Sequence, residues 1–247
     1  MGNKIFDLHT LEIKLFNKAA ETAVNISNNN FDWKRDIRYT TYNRLSSVIR
    51  SAKLSVIFRD QCLEKDDWWN PNYDIYFSYL DPYDDSNVYD KATMRFLRRQ
   101  TISNDFIKTM IVGLYASSFS ILDSRVRVFY NYLLHPSEKG VIKEGNISKL
   151  IERILDFLNL NSKRGCIELF RNARNTIHDN GVYTQDDDMV NCGGNSYKLE
   201  KGNPPNYGDS LDLLTLTILP EVVEILDKII SRLLVERIIL DPFAKEN

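Results

Sequence analysis

The chain is poor in the residues from which metal centres and disulfide scaffolds are built. It has three cysteines and three histidines in 247 residues. Cys62, Cys166 and Cys192 lie far apart with no C-x-x-C pair, and His9, His135 and His178 are equally scattered, so no zinc-ligand spacing exists. Cys166 falls on an apolar helix stripe. The expectation is three unpaired thiols in a reducing compartment, and hence a cytoplasmic protein. Phosphate loops of the G-x-x-x-x-G-K type, G-x-G-x-x-G turns and G-x-S-x-G elbows are also missing, which leaves ATPase, dinucleotide and serine-hydrolase readings without support. No cofactor is expected. Charge of one sign is missing too: 32 basic side chains face 34 acidic ones, for a formal net charge of -2. No global field draws this chain to nucleic acid, so any phosphate contact must come from a local cluster. The apolar run from Ile111 to Leu122 is shorter than the roughly 20 residues a bilayer requires, and the N-terminus lacks the apolar block of a secretory signal. No membrane partner is expected.

Glycine and proline are sparse, at 10 and 7, and they cluster. The long stretches between them suit helices. Periodicity predicts helices over 5–27, 34–64 and 104–134, the last capped by Ser103, then one from Ser148 to about 160 and one from Asn161 or Ser162 to about 179. A final helix is expected over 209–240, with Pro220 marking a kink or a start. Pro136, Gly140 and Gly181 are read as stops. Between 66 and 90 the composition turns aromatic and acidic, which predicts an ordered loop pinned to a helical core, with a short strand at 73–80. The segment MVNCGGNSYKLEKG predicts two short strands around a turn at Asn191–Asn195. The fold class is therefore mainly α with a small β-hairpin. Residues 1–100 are expected to form an N-terminal helical extension containing the aromatic loop, and 101–247 a helical bundle.

The chemistry concentrates in ELFRNARNTIHDNGVY, residues 168–183. On a helix, Cys166, Leu169, Phe170, Ala173 and Ile177 make one apolar stripe. Arg171, Arg174, Asn175 and His178 fall on another face. A step of four residues covers about 6 Å and a step of seven about 10 Å, returning to within roughly 20° of the starting direction. Long guanidinium side chains bridge either gap, so this face can converge on one anion. Histidine titrates near neutrality and trades protons there. Arginine keeps its charge and forks onto phosphate oxygens. A general base beside a fixed cation is sufficient to drive a ribose 2′-hydroxyl against its neighbouring phosphodiester, a route that needs no metal. The plainer alternative is a solvated helix face whose terminal histidine is favoured by the helix dipole.

The segment RNARNTIHDNG resembles the signature of HEPN domains, whose ribonuclease members carry an arginine, usually a polar residue after it, a spacer of four to six residues and a histidine. Arg171, followed by Asn172, stands six residues before His178; Arg174, followed by Asn175, stands three before it. The register is open between the two. The helix around LYASSFSILDSRVR, with Asp123 near its middle, resembles the family's first core helix, and the likeness covers about 100–240. It implies a HEPN-like helical bundle that forms a homodimer, with two Arg/His faces lining a shared cleft. It also implies RNA as substrate, His178 as acid or base, and Arg171 with Arg174 as the phosphate-stabilising pair. Asn172, Asn175 and Asp123 would support them. Family members serve in toxin–antitoxin and anti-phage systems, so an antitoxin or defence partner protein is implied as well. Others are non-catalytic modules that bind protein or nucleotide, which is the alternative reading here.

Three further features have mainly structural readings. Asp186, Asp187 and Asp188 could hold Mg²⁺, but adjacent carboxylates in a turn diverge and a solvated loop explains them. Arg95, Arg98 and Arg99 could follow an RNA backbone or simply face solvent. The aromatics of 66–90 could stack bases, although their acidic neighbours would repel phosphate.

Overall fold

The computed structural model describes residues 2–72, 91–134, 146–178, 182–203, 210–233 and 238–242. The chain is mainly helical with one two-stranded antiparallel hairpin. Helix α1 (Gly2–Ser27) lies against α2 (Ile37–Phe58), which Asp36 caps by accepting from the Arg38 N–H at 2.9 Å and which runs on into a π segment, Arg59–Leu63. A short helix, α3, covers 66–72. Helix α4 (Lys91–Leu134) follows, then α5 (Ile147–Leu158), capped by Asn146, and α6 (Arg164–His178). The hairpin is β1 (Asp188–Cys192) with β2 (Asn195–Leu199). The last helix, α7, runs as Ser210–Asp212, a π segment Leu213–Ile218, and Leu219–Arg232.

Several boundaries differ from expectation. Ser103 is not a cap: α4 begins a dozen residues earlier, and Ser103 is buried with its hydroxyl donating to Glu64. Residues 66–72 are helical because Trp69 is buried and its indole N–H finds the Leu63 carbonyl at 2.8 Å, while Trp68 packs edge-on against Phe58. The strand expected at 73–80 and the stops at Pro136, Gly140 and Gly181 lie outside the described residues. Helix α7 ends at Arg232 rather than 240. Pro220 follows the π segment directly, where widened hydrogen bonding accommodates a residue without an N–H.

One buried apolar cluster runs through the whole chain, from Leu8 and Ile49 through Leu114 and Phe129 to Phe170, Leu226 and Ile239. Residues on both sides of position 100 share it, and α4 crosses that position without a break. Between Phe96 and Leu134, α4 is long and apolar enough to meet the length and composition of a membrane span, with an 18-residue window of mean hydropathy 1.2. That corrects the shorter limit read from residues 111–122. Within this fold the same helix turns Leu114, Leu122, Val126 and Phe129 into the core.

The two ends of the chain are stitched together around a buried charge cluster. Arg125, midway along the core part of α4 and fully buried, donates from Nη1 and Nη2 to the two oxygens of Asp241 at 2.7 and 2.9 Å. Thr40 donates to the same carboxylate at 2.8 Å. The strand-like segment carrying Asp241 then zips onto the start of α2. The Ile37 N–H donates to the Ile239 carbonyl at 2.8 Å, the Ile239 N–H to Asp36 at 3.0 Å, and the Asp241 N–H to the Arg35 carbonyl at 2.8 Å. Burial pushes the Arg125 guanidinium below its ordinary value, against the opposing pull of Asp241. A second polar lock joins α1 to α2. Glu12, buried, accepts from Arg50 at 2.7 Å and also from Lys53.

Asp241→Ala removes both carboxylate oxygens to which the buried Arg125 guanidinium donates, so it will lower unfolding free energy by about 3–5 kcal/mol in urea titration. Glu12 gives a pH-dependent signature. Burial alone would raise its carboxyl, but hydrogen bonds and charge from Lys53 and Arg50 outweigh it and hold it below the ordinary value. Its stabilisation is therefore complete above the ordinary carboxylate range and is lost as pH falls through the lowered folded value. Glu12→Gln will flatten the acid limb of a stability–pH curve taken from about pH 6 to about pH 3.

Candidate functional site on helix α6

Helix α6 is amphipathic, and the core decides which way it faces. Cys166, Leu169, Phe170 and Ala173 are all buried, as the stripe predicts; the Ile177 side chain lies outside the described residues. Phe170 meets Phe119 edge-to-face with centroids 5.2 Å apart and Tyr115 at 6.2 Å, and these contacts fix the helix against α4. At the other end of the helix the hairpin comes close. A Cβ on Gly165 would stand 2.1 Å from the Asn191 carbonyl oxygen, so only glycine permits this approach. The hairpin turns through Gly193 and Gly194 at φ +57° and +80°, as a tight two-residue loop requires. It turns Val190, Cys192 and Leu199 inward.

Cys166 and Cys192 are joined as a disulfide, with Cα atoms 4.5 Å apart. The expectation of three unpaired thiols is corrected on this point; only Cys62 is free. The bond links positions 26 residues apart, a separation that no local spacing rule detects.

The two arginines of the motif both border Phe119 but are held differently. Arg171, half-buried, donates from Nη1 to the Ser148 hydroxyl on α5 at 2.7 Å, and its Nε is buried without a partner. It lines a narrow cleft with Phe119, Ile151, Glu152 and Glu168. The solvent room there is about 20 Å³, enough for one water and far too little for a nucleotide. A phosphate would meet Arg171 at the rim. Arg174, also half-buried, lies with its guanidinium carbon 5.8 Å from the Phe119 centroid and donates to the Asn175 side chain at 3.2 Å. Among the described residues no carboxylate lies within ion-pair distance of either arginine.

The supporting residues divide. Asn175 is half-buried beside Arg174. Asn172 instead points into the core, 2% exposed, with its side-chain oxygen lacking a partner, so it cannot present itself to a ribose from there. Asp123 is engaged on its own helix, where Arg127 donates to it at 3.2 Å. His178 is the last residue of α6, and its side chain lies outside the described residues. Elsewhere, Arg99 pairs with Asp66, and Asp186 and Asp187 accept from Lys201 at 2.9 and 2.8 Å. Among the described residues no cluster of three His, Cys, Asp or Glu side chains could hold a metal ion.

Ser148, Phe119 and Tyr183 belong to this site and were not singled out from the sequence. Tyr183 is buried, and burial together with Asp188 raises its phenol while Arg171 lowers it, which puts the tyrosine within electrostatic reach of the motif. Ser148 had a visible signal only as a helix-start residue, and Phe119 only as part of an apolar run.

Comparison of the chain with protein-family models, curated proteins and solved structures finds no match.

Ser148→Ala removes the hydrogen bond that tethers Arg171 across to α5. Its expected cost is about 1 kcal/mol of unfolding free energy, measured by chemical denaturation.

Proposed function

We propose that the α6 face is the catalytic face of a HEPN-like, metal-independent endoribonuclease that works as a homodimer in a toxin or anti-phage system. The observation that carries the reading is the pair of arginines one helical turn apart, half-buried, bordering one aromatic ring and in no direct ion pair with a described carboxylate, with Glu152 and Glu168 across the Arg171 cleft. A guanidinium without a direct ion-pair partner in a partly desolvated place can still take an anionic ligand. In this reading a backbone phosphate sits at the rim beside Arg171 and Arg174, whose N–H groups bind the oxygens on which charge grows as the phosphorus becomes five-coordinate. His178 takes the 2′-hydroxyl proton, or gives one to the departing 5′-oxygen. The 2′-oxygen–phosphorus bond forms, the phosphorus–5′-oxygen bond breaks, and the products are a 2′,3′-cyclic phosphate and a 5′-hydroxyl. The tether to Ser148 supports Arg171 as the fixed member of the pair. Asn175 supports Arg174. A second subunit placed against this face would exclude water and double its charge.

A second reading, a non-catalytic module that binds a protein or nucleotide, is favoured by a different observation. Helix α1 carries exposed Phe6, Ile13, Phe16 and Val24 along one side, next to a groove of about 530 Å³ bordered by Trp33 and Tyr39.

The purified chain, incubated with single-stranded RNA in EDTA, is expected to release fragments ending in a 2′,3′-cyclic phosphate. His178→Ala should abolish cleavage, and alanine at the motif arginine should lower kcat by about 10²–10³-fold. RNA carrying a 2′-deoxyribose at the cut site should survive. Equal cleavage of that RNA, or full activity in His178→Ala, sinks the mechanism and favours the binding module.

A further inference from the structure

We propose that the Cys166–Cys192 disulfide is a reversible redox latch. Closed, it fixes the hairpin against α6 and orders the Arg171–His178 face; opened by a dithiol, it releases the hairpin. The effect on catalysis rests on the ribonuclease reading, whereas the latch itself does not.

Topology carries the inference. The bond joins the first turn of α6 to the last residue of β1, and the chain it encloses contains Arg171, Arg174, Asn175, His178 and the acidic run Asp186–Asp188. The same hairpin also grips the chain just beyond the motif: the Gly202 N–H donates to the Tyr183 carbonyl at 2.8 Å, and the Tyr183 N–H to the Asn203 carbonyl at 3.1 Å. One end of the hairpin is thus covalently bound where α6 begins, and the other is hydrogen-bonded to the segment that follows it. Burial and Asp188 raise the phenol of Tyr183, held by that second grip, against the smaller opposing pull of Arg171.

Apart from the disulfide, the hairpin is secured by Val190 and Leu199 in the core and by Tyr197 packed against it. Its strands bury Val190, Leu199 and Cys192 itself, and their other side chains are exposed or half-exposed. A two-stranded ribbon is marginal without added support. The close approach of Gly165 to Asn191 offers backbone contact but no side-chain packing at that point. Helix α6, by contrast, is anchored independently through Leu169, Phe170 and Ala173. Opening the bond therefore loosens the turn end of the hairpin against the start of α6 while leaving the bundle assembled.

The chemistry is thiol–disulfide exchange. Both sulfurs are buried, so exchange proceeds when the hairpin opens locally: a dithiol thiolate then attacks one protein sulfur, giving a mixed disulfide and one protein thiolate. The dithiol's second thiolate displaces the other sulfur. Two electrons and two protons pass to the protein, which ends with two thiols, and the reductant ends as a cyclic disulfide. A small-molecule or protein disulfide reverses the step.

The test uses the full chain carrying Cys62→Ser, so that no third thiol exchanges with the pair. Alkylation mass under native conditions, with and without dithiothreitol, counts the thiols, and hydrogen exchange reads the hairpin. Reduction should add two alkylation sites and speed amide exchange across 182–200 by about tenfold, with exchange in α2 unchanged. Binding of a labelled single-stranded RNA should weaken by about fivefold or more. Cys166→Ser and Cys192→Ser should each reproduce the reduced form without reductant. A bond that resists dithiothreitol until the protein is denatured overturns the latch. So does reduction with unchanged hairpin exchange, or two free thiols in protein prepared without reductant. If exchange responds as expected while RNA binds in neither state, the latch stands and the ribonuclease reading falls.

Discussion

The bidentate contact between Arg125 and Asp241 is the constraint around which this fold is arranged. It places a positive charge in the last third of α4 and meets it with a carboxylate from the far end of the chain. Neither charge could be buried alone, because an ion out of water costs several kcal/mol unless it is closely paired and hydrogen-bonded. The pair therefore forces residues 238–242 back onto the start of α2, where Asp36, Arg35 and Ile37 complete the backbone hydrogen bonding. Once that segment is seated, α2 is fixed against α4, and Glu12 fixes α1 against α2. Described residues on both sides of position 100 thereby share one apolar core.

From this frame α4 presents Tyr115 and Phe119 to Phe170, and those rings set the rotation of α6. The rotation has a consequence for charge. With Leu169, Phe170 and Ala173 turned inward, Arg171 and Arg174 must emerge along the border of the core, where Phe119 supports both. They are neither fully solvated nor in a direct ion pair with a described carboxylate. That intermediate condition separates this helix face from an ordinary wet one, on which arginines reach freely into water or pair with acids at the next turn. The hairpin closes the other end of the arrangement and is itself tied down by a bond between two buried sulfurs.

Much of this was legible in the sequence where periodicity is strong. The stripe from Cys166 to Ala173 gave the buried face of α6, and the paired glycines in MVNCGG gave the hairpin and its turn. What escaped shares one cause: it depends on residues distant in the chain. Nothing local announces that Asp241 pairs with Arg125, or that Cys166 finds Cys192. The start of α4 was misplaced because Ser103, a good cap by type, is a buried hydroxyl donating to Glu64 on another helix. Within the motif, pattern identified the residues but not their company. Asn172 and Asp123 are polar by type yet occupied elsewhere, one in the core and one by Arg127. Ser148, by contrast, gained its place in the site only when α5 came to lie beside Arg171.

The central claim is that Arg171 and Arg174 hold one nucleic-acid phosphate between them. Its most direct test is the salt dependence of single-stranded RNA binding to His178→Ala protein, in which cleavage cannot confuse the reading. Alanine at both arginines should reduce the slope of log K against log salt by about 0.7, one phosphate contact's share, and either single variant by no more than that. A slope left unchanged by both substitutions would show that neither guanidinium touches the backbone, and the account of this face would be wrong.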